Sequence, residues 1–397
     1  MRRLRSGFVR ACAVFSLLCG LGLAAQAPPP SPLPKAPLLV VLNGDAKQWE
    51  PLSKELGWRL LTPVFENFLI EKSVKGLESE VSTAANQSGV DSTRVYLLGR
   101  GAEVPAVFFL AARVPHLWAA ALALGGTPRA AIDSNRLFAI NTRLVPVLWI
   151  AGEDNDDARL LEKLNAAKYS VEMRQKATPQ EIFSWLASHH SDPFPQTVDC
   201  ETETPSFPRC YWVEMTKFDA TERNDVLGST RVQPGSGASL DLGGFGFDPR
   251  AEGPGVLVAW LPDKYQGPLK LNDRIVSVGG KEIRDARAYV EMMEQITEEK
   301  PVAIMLQRGN NRMRVETRIV LPKPEGAITA RVQGRYVPDL KEIEVLSRTV
   351  TQLRLNIPEF WTPAGLNWNG TELTKADAPG CWLLTLEKEV PKAQKCP

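Results

Sequence analysis

The sequence predicts a multidomain α/β plus β protein: a parallel-sheet domain over 37–195, a glycine-punctuated β module over 237–322 and a small antiparallel β domain over 323–397. Three observations carry this reading. Short apolar runs alternate with stretches of helical period from 37 to 190, the pattern of a parallel sheet wrapped by crossover helices on both faces. A second group of strand-like runs, broken by Gly, Pro and Asn turns and holding one helical stretch, starts near residue 237. After 327, strand-type alternation continues with no helical period.

The chain has 397 residues, enough for several cores. Its formal net charge of +1 gives no electrostatic argument for nucleic acid or for an anionic membrane surface. "MRRLR" followed by the apolar "ACAVFSLLCGLGLAA" predicts a signal peptide over 1–25. Cleavage is expected near Ala24 or Ala25, with an uncleaved anchor as the alternative. Leu17 and Leu18 ahead of Cys19 argue against a lipoprotein site. No membrane span is expected once the signal is removed, and the location implied is periplasmic, cell-envelope or extracellular. "APPPSPLPKAP" then reads as a stiff spacer over 26–36.

Export implies an oxidising compartment. Cys200, Cys210, Cys381 and Cys396 remain after cleavage. Four cysteines allow three pairings, and the short separations favour Cys200–Cys210 and Cys381–Cys396. No Cys-x-x-Cys with a nearby histidine suggests a metal, so no metal or other cofactor is expected.

In the first domain, strands are expected at 38–44, 58–65, 93–99, 118–126, 145–153 and 169–175. Helices are expected at 72–89, with Val74, Leu77, Val81 and Ala85 on one face, and at 102–113, 157–167 and 179–188. The third strand meets the turn Gly99-Arg100-Gly101, followed by Ala102, Glu103 and a helix. The stretch "VDSTRVYLLGRGAEVPAVFFLAARVPHLWAAALALGG", with "PVLWIAGEDND" after it, resembles the α/β-hydrolase superfamily, especially secreted esterase-like members. That resemblance places the nucleophile of Gly-x-Ser-x-Gly at Gly101, the triad acid at Asp154 and the histidine near Lys176-Ala177, where none stands. It implies oxyanion donors in the N–H of Ala102 and one from the loop at Asn43-Gly44. Acyl transfer needs nucleophile and base together, and losing a triad member costs roughly four to six orders of magnitude in turnover.

The other chemistry-bearing residues have ordinary readings. His116, His189 and His190 are the only histidines, expected in a loop and at a helix end. Ser88, Ser92 and Ser170 lie near turns, and Asp154, Asp156 and Asp157 read as helix caps and first-turn charges.

Residues 237–322 resemble a PDZ domain. "LGGFGF" (242–247) matches a carboxylate-binding loop, "GPLKLNDRIVSVGGKEI" the turn and strand that follow, and "ARAYVEMMEQI" the groove helix. Asn272 stands where the family's pattern has glycine. The resemblance implies capture of a peptide or protein C-terminus by Leu242, Gly243, Gly244, Phe245, Gly246 and Phe247, with Val290 and Met293 beside the pocket, the peptide adding as a strand.

In the last region "AITARVQ", "KEIEVLS", "TQLRLNI" and "CWLLTLEKEV" read as strands, and Asn369-Gly370 as a hairpin turn. "CYWVEMTKF" (210–218), inside the linker 196–236, is strand-like too. The β module is therefore expected to interrupt a β domain whose first strand is 210–218. The function expected is that of an exported, non-catalytic pseudo-hydrolase that binds C-termini. The alternatives are a secreted serine-type esterase or peptidase with relocated residues, and an envelope protein whose groove is self-occupied.

Overall fold

The computed structural model describes residues 35–44, 46–152, 157–222, 224, 226–233, 237–248, 251–262, 264–321, 329–387 and 390–397. The signal segment, most of the spacer, Asp154 and Asp156 lie outside them.

The first sheet holds six parallel strands, β1 (Ala36–Val41), β2 (Arg59–Leu61), β3 (Val90–Arg100), β4 (Ala120–Leu124), β5 (Val147–Ile150) and β6 (Val171–Arg174), in the order β2-β1-β3-β4-β5-β6. Its helices are α1 (Glu50–Glu55), α2 (Glu71–Ala85), α3 (Val104–Arg113), α4 (Arg129–Asp133), α5 (Asp157–Ala166) and α6 (Pro179–Ala187). The central strands β1, β4 and β5 are apolar almost throughout because both faces are covered. One face packs Leu38, Val40 and Trp149 against α2, α3 and α5, and the other packs Leu39, Tyr96 and Leu148 against Ile182, Phe183 and Leu186 of α6. Helix α2 buries Val74, Leu77 and Val81 as expected, but the fourth position is Ala84 rather than Ala85. The apolar stripe steps by three at its end, and Ala85 is only partly covered. Thr178 and Glu181 close a capping box at the start of α6.

The chain then forms β7 (Thr197–Thr202), β8 (Arg209–Cys210) and β9 (Val213–Phe218). The next module contains β10 (Ser239–Leu240), β11 (Gly246–Phe247), β12 (Val256–Trp260), β13 (Arg274–Val278), β14 (Lys281–Glu282), α7 (Ala286–Glu294), β15 (Lys300–Arg308) and β16 (Asn311–Val320). Its strands run β10-β16-β15-β13-β12-β11, with β14 beside β13, around a separate core that includes Val258, Ile275 and Ile304.

Seven strands follow: β17 (Ala330–Val337), β18 (Glu342–Arg348), β19 (Val350–Ile357), β20 (Ala364–Trp368), β21 (Thr371–Ala376), β22 (Gly380–Glu387) and β23 (Val390–Lys395). They make two sheets, β21-β20-β18-β17-β7 and β23-β22-β19-β9-β8, sharing one core rich in tryptophan. Strand β9 pairs antiparallel with β19, and β7 with β17. Both sheets are therefore built from chain on either side of the 237–321 module. The linker contributes more than the single strand expected of it, since β7 also joins, burying Val198 and Cys200 at alternate positions. Asn369 and Gly370 both take positive φ in the β20–β21 turn, as a two-residue hairpin requires. Disulfides join Cys200 to Cys210 and Cys381 to Cys396, the pairing expected from separation. The first links the two sheets through β7 and β8.

Candidate functional site

The turn Gly99–Glu103, an elbow between strand and helix, stands at the carboxyl end of β3. Arg100 ends the strand, Gly101–Glu103 form a single 3-10 turn, and α3 starts at Val104. Gly101 has φ +58, the left-handed region that costs an L-residue about 1–2 kcal/mol. A Cβ built on it meets nothing within 4 Å, so the turn has room for a side chain. The neighbouring glycines have a different reason. A Cβ on Gly99 would lie 2.6 Å from Val107 Cγ2, and one on Gly126, at the end of β4, 2.2 Å from the Gly101 carbonyl oxygen.

Asn43, after β1, borders the same edge. Its Nδ2 donates to Phe65 O (2.6 Å) and to Glu103 Oε1 (3.0 Å), and its Oδ1 accepts from Phe65 N (2.7 Å). The backbone N–H of Asn43 is spent on Pro63 O at 3.3 Å. Of the loop pair expected to offer an oxyanion donor, Asn43 is thus already engaged. The Glu103 carboxylate beside it puts negative charge where acyl transfer needs stabilisation of an oxyanion.

The histidines are at the other end of the sheet. Ser191 N donates to Thr93 O, and Tyr96 OH to His189 O. Thr93 precedes Gly101 by eight residues of extended strand, roughly 26 Å at the usual rise. His116 sits in the turn Pro115–Leu117 just before β4. Ser88 and Ser92 lie at the start of β3 and Ser170 just ahead of β6, also at the amino edge. Lys176 and Ala177 follow β6 near the carboxyl edge, and Ala177 packs into the core. Among the described residues, no serine and histidine converge at the elbow. Asp157 opens α5 and is buried, and no cluster of three metal-ligating side chains occurs among the described residues.

Gly101→Ser is therefore expected to fold and to leave ester hydrolysis at background. A p-nitrophenyl ester assay checks this, and turnover above the parent protein would show a base that the histidine positions do not supply.

His116 lies in a turn, as its sequence context suggests, but its side chain is covered. That side chain is 6% exposed, with Nε2 3.2 Å from Glu78 Oε1, and burial lowers its pKa from 6.5 despite the Glu78 contact. The folded protein thus holds a neutral imidazole that becomes easier to protonate on unfolding. The sign is that stability is full above the unfolded value and is lost as pH falls through it towards the lower folded value. Asp91, Glu203 and Asp273 also have lowered pKa values, but theirs start from the carboxylate range. Denaturant midpoints should drop as pH falls below about 6.5, and His116→Gln should flatten that slope. Equal slopes would remove His116 as the cause.

In the 237–321 module, Gly243 and Gly244 each have φ +79 and are exposed. They lead into the two-residue β11, which pairs with β12 on one side and ends the described sheet on the other. Phe245, Phe247 and Val290 are half-buried, and Phe247 meets Tyr289 of α7 edge-on at 5.7 Å. Leu242 and Met293 are buried in the core beneath, so they are floor rather than open wall. Asn272 has φ +69, a conformation asparagine tolerates better than most residues, which accounts for it in a glycine position. Asp273 fixes the same turn by accepting from Lys270 N (2.7 Å) and pairing with Arg308 (2.7 Å). Helix α7 also touches the first domain: Glu294 pairs with Arg159 (2.5 Å) and Lys163 (3.4 Å) of α5.

Sequence reasoning did not foresee the Glu103–Asn43 contact or the Glu294 bridge. Both join residues far apart in the chain, and no local pattern marks them. The burial of His116 had one available signal, the apolar "RVPHLW" around it.

No protein-family model matches this chain, and no curated protein does. Among solved structures it is similar to a thermostable esterase, with 16% identity and a TM-score of 0.31 over 40% of this chain and 56% of that one. It is also similar to the esterase PE8, with 13% identity and a TM-score of 0.29 over 39% of this chain and 92% of that one. The chain thus spans little more than half the length of the first of these enzymes.

Proposed function

We propose that this is an exported, non-catalytic binding protein. Its 237–322 module would capture polypeptide carboxyl termini beside a hydrolase-like domain that has lost acyl-transfer chemistry. One observation carries the reading: two left-handed, exposed glycines open onto the free edge of β11, faced by half-buried Phe245, Phe247 and Val290. Backbone N–H groups at such a loop suit a terminal carboxylate, and a free edge suits strand addition. The missing nucleophile at Gly101 and the histidines at the wrong sheet edge support binding over hydrolysis. Two disulfides fit an oxidising compartment. Among the described residues no helix is long and apolar enough to cross a membrane.

The test is a C-terminal peptide library screened against the full chain by fluorescence polarisation. The best free-acid peptide should bind at least about tenfold more tightly than its C-terminal amide. Phe247→Ala should weaken it by about tenfold or more, the effect of losing one well-buried aromatic side chain. A library with no binder, or amides binding as well as acids, would defeat the proposal.

A further inference from the structure

We propose that the same module carries a second, separate ligand site, a pocket for a medium-chain fatty acid. It does not rest on the peptide groove. The structure holds a half-open pocket of about 320 Å³ at the carboxyl end of α7, with Gln295 and Thr297 among its lining residues, in the size range of small-ligand sites. Val278, Val302 and Ile319 form a buried apolar floor, and half-buried Met292 and Ile296 form walls. Met292 is two residues after Val290, about 200° round the helix, so cavity and groove use different faces of α7.

Two cations stand at the rim. Lys281 is the cross-strand partner of Val278, and Lys300 that of Ile319. Side chains directly opposite in antiparallel strands rise on the same face, so each lysine stem starts beside a floor residue. Both lysines are exposed, and neither ammonium has an ion-pair partner among the described residues. Glu298, also on the rim, is the one anion among the lining residues, leaving a net charge of +1. An apolar chain inside with a carboxylate at the mouth matches both features. A peptide fits less well. Strands β13, β15 and β16 have strand neighbours on both sides, and β14, which pairs only with β13, is two residues long, so no edge here is long enough to seat a peptide backbone, and burying unpaired amides is costly. An alkyl chain brings no such groups.

The experiment is calorimetric titration of the full chain with butanoate, hexanoate and octanoate. Affinity should rise about fourfold per added methylene until the cavity is filled. The double variant Lys281→Glu, Lys300→Glu should weaken octanoate by about tenfold or more and leave 1-octanol unchanged. Ile296→Trp, which fills the cavity, should remove both, with an unchanged circular dichroism spectrum showing that the protein is folded. Phe247→Ala, in the groove, should leave octanoate binding intact, so the failure of one site is visible apart from the other. Affinity independent of chain length, tighter binding of N-acetyl-leucine than of octanoate, or loss of octanoate in Phe247→Ala would overturn the proposal.

Discussion

Glu201→Ala is expected to destabilise the protein by about 3–5 kcal/mol, the usual result of stripping one partner from a buried ion pair. Glu201 is 1% exposed and accepts from Ser229 Oγ (2.6 Å), Thr230 N (2.7 Å), Thr230 Oγ1 (2.8 Å), Thr329 Oγ1 and Arg348 Nη2 (3.4 Å). Arg348, itself buried, also donates to the carbonyls of Leu227 and Thr329. Residues 227–230 enter the 237–321 module and Thr329 leaves it, so one carboxylate and one guanidinium hold both connections. Backbone bonds add to the clamp, since Asn141 of the first domain exchanges hydrogen bonds with the main chain of Glu201. Removing the carboxylate takes the shared acceptor from Ser229, Thr230 and Thr329 in a buried site and one anion from beside Arg348. The measurable outcomes are a fall in denaturant midpoint and faster amide exchange at 227–233 and 329–332, with β3 and β4 still protected. The double variant Glu201→Leu, Arg348→Met should cost less than Glu201→Ala alone, because both charges leave the buried site together. If the double variant costs more, the pair contributes through attraction rather than through the penalty of breaking it.

Gly126→Ala is expected to cost about 3 kcal/mol, at the upper end for overpacking. Its Cβ would stand 2.2 Å from Gly101 O and 2.9 Å from Val104 Cγ2. The first obstacle is backbone at the elbow, which no rotamer change relieves, so β4 and the turn have to separate. Gly101→Ala, by contrast, meets open space and should cost only the left-handed backbone term of about 1–2 kcal/mol. The ordering of the two midpoints is the check, and a larger loss at Gly101 would contradict the close approach of these strand ends. This contrast bears on function. The fold leaves room for a side chain at Gly101, so sterics do not exclude a serine there. Among the described residues no histidine lies at this edge, and the Glu103 carboxylate there accepts from Asn43.

The strand and helix series of the first sheet was legible because burial on both faces leaves continuous apolar runs such as "LLVV", and covering helices show a single apolar stripe. Cysteine separation was enough to favour the two disulfides. Asn369-Gly370 announced its hairpin because few residues accept two successive left-handed conformations. That Gly101 carries no reactive side chain was readable from its identity alone. Strand β7 was overlooked although Val198 and Cys200 alternate as an edge strand should, because six residues in a linker carry a weak periodic signal.

Sequence by itself therefore determined much of the local conformation, a preference among the cysteine pairings and the lack of a reactive side chain at Gly101, all properties of residue type and short spacing. Tertiary structure alone decided what those groups meet. It placed the three histidines at the edge of the sheet opposite the elbow and put Glu103 on Asn43. It joined both necks of the inserted module through Glu201 and Arg348, and set Lys281 and Lys300 on the rim of one cavity. The physical reason is that such contacts join residues tens to more than a hundred positions apart. Their energies depend on burial and distance, and neither is written in any short stretch of chain.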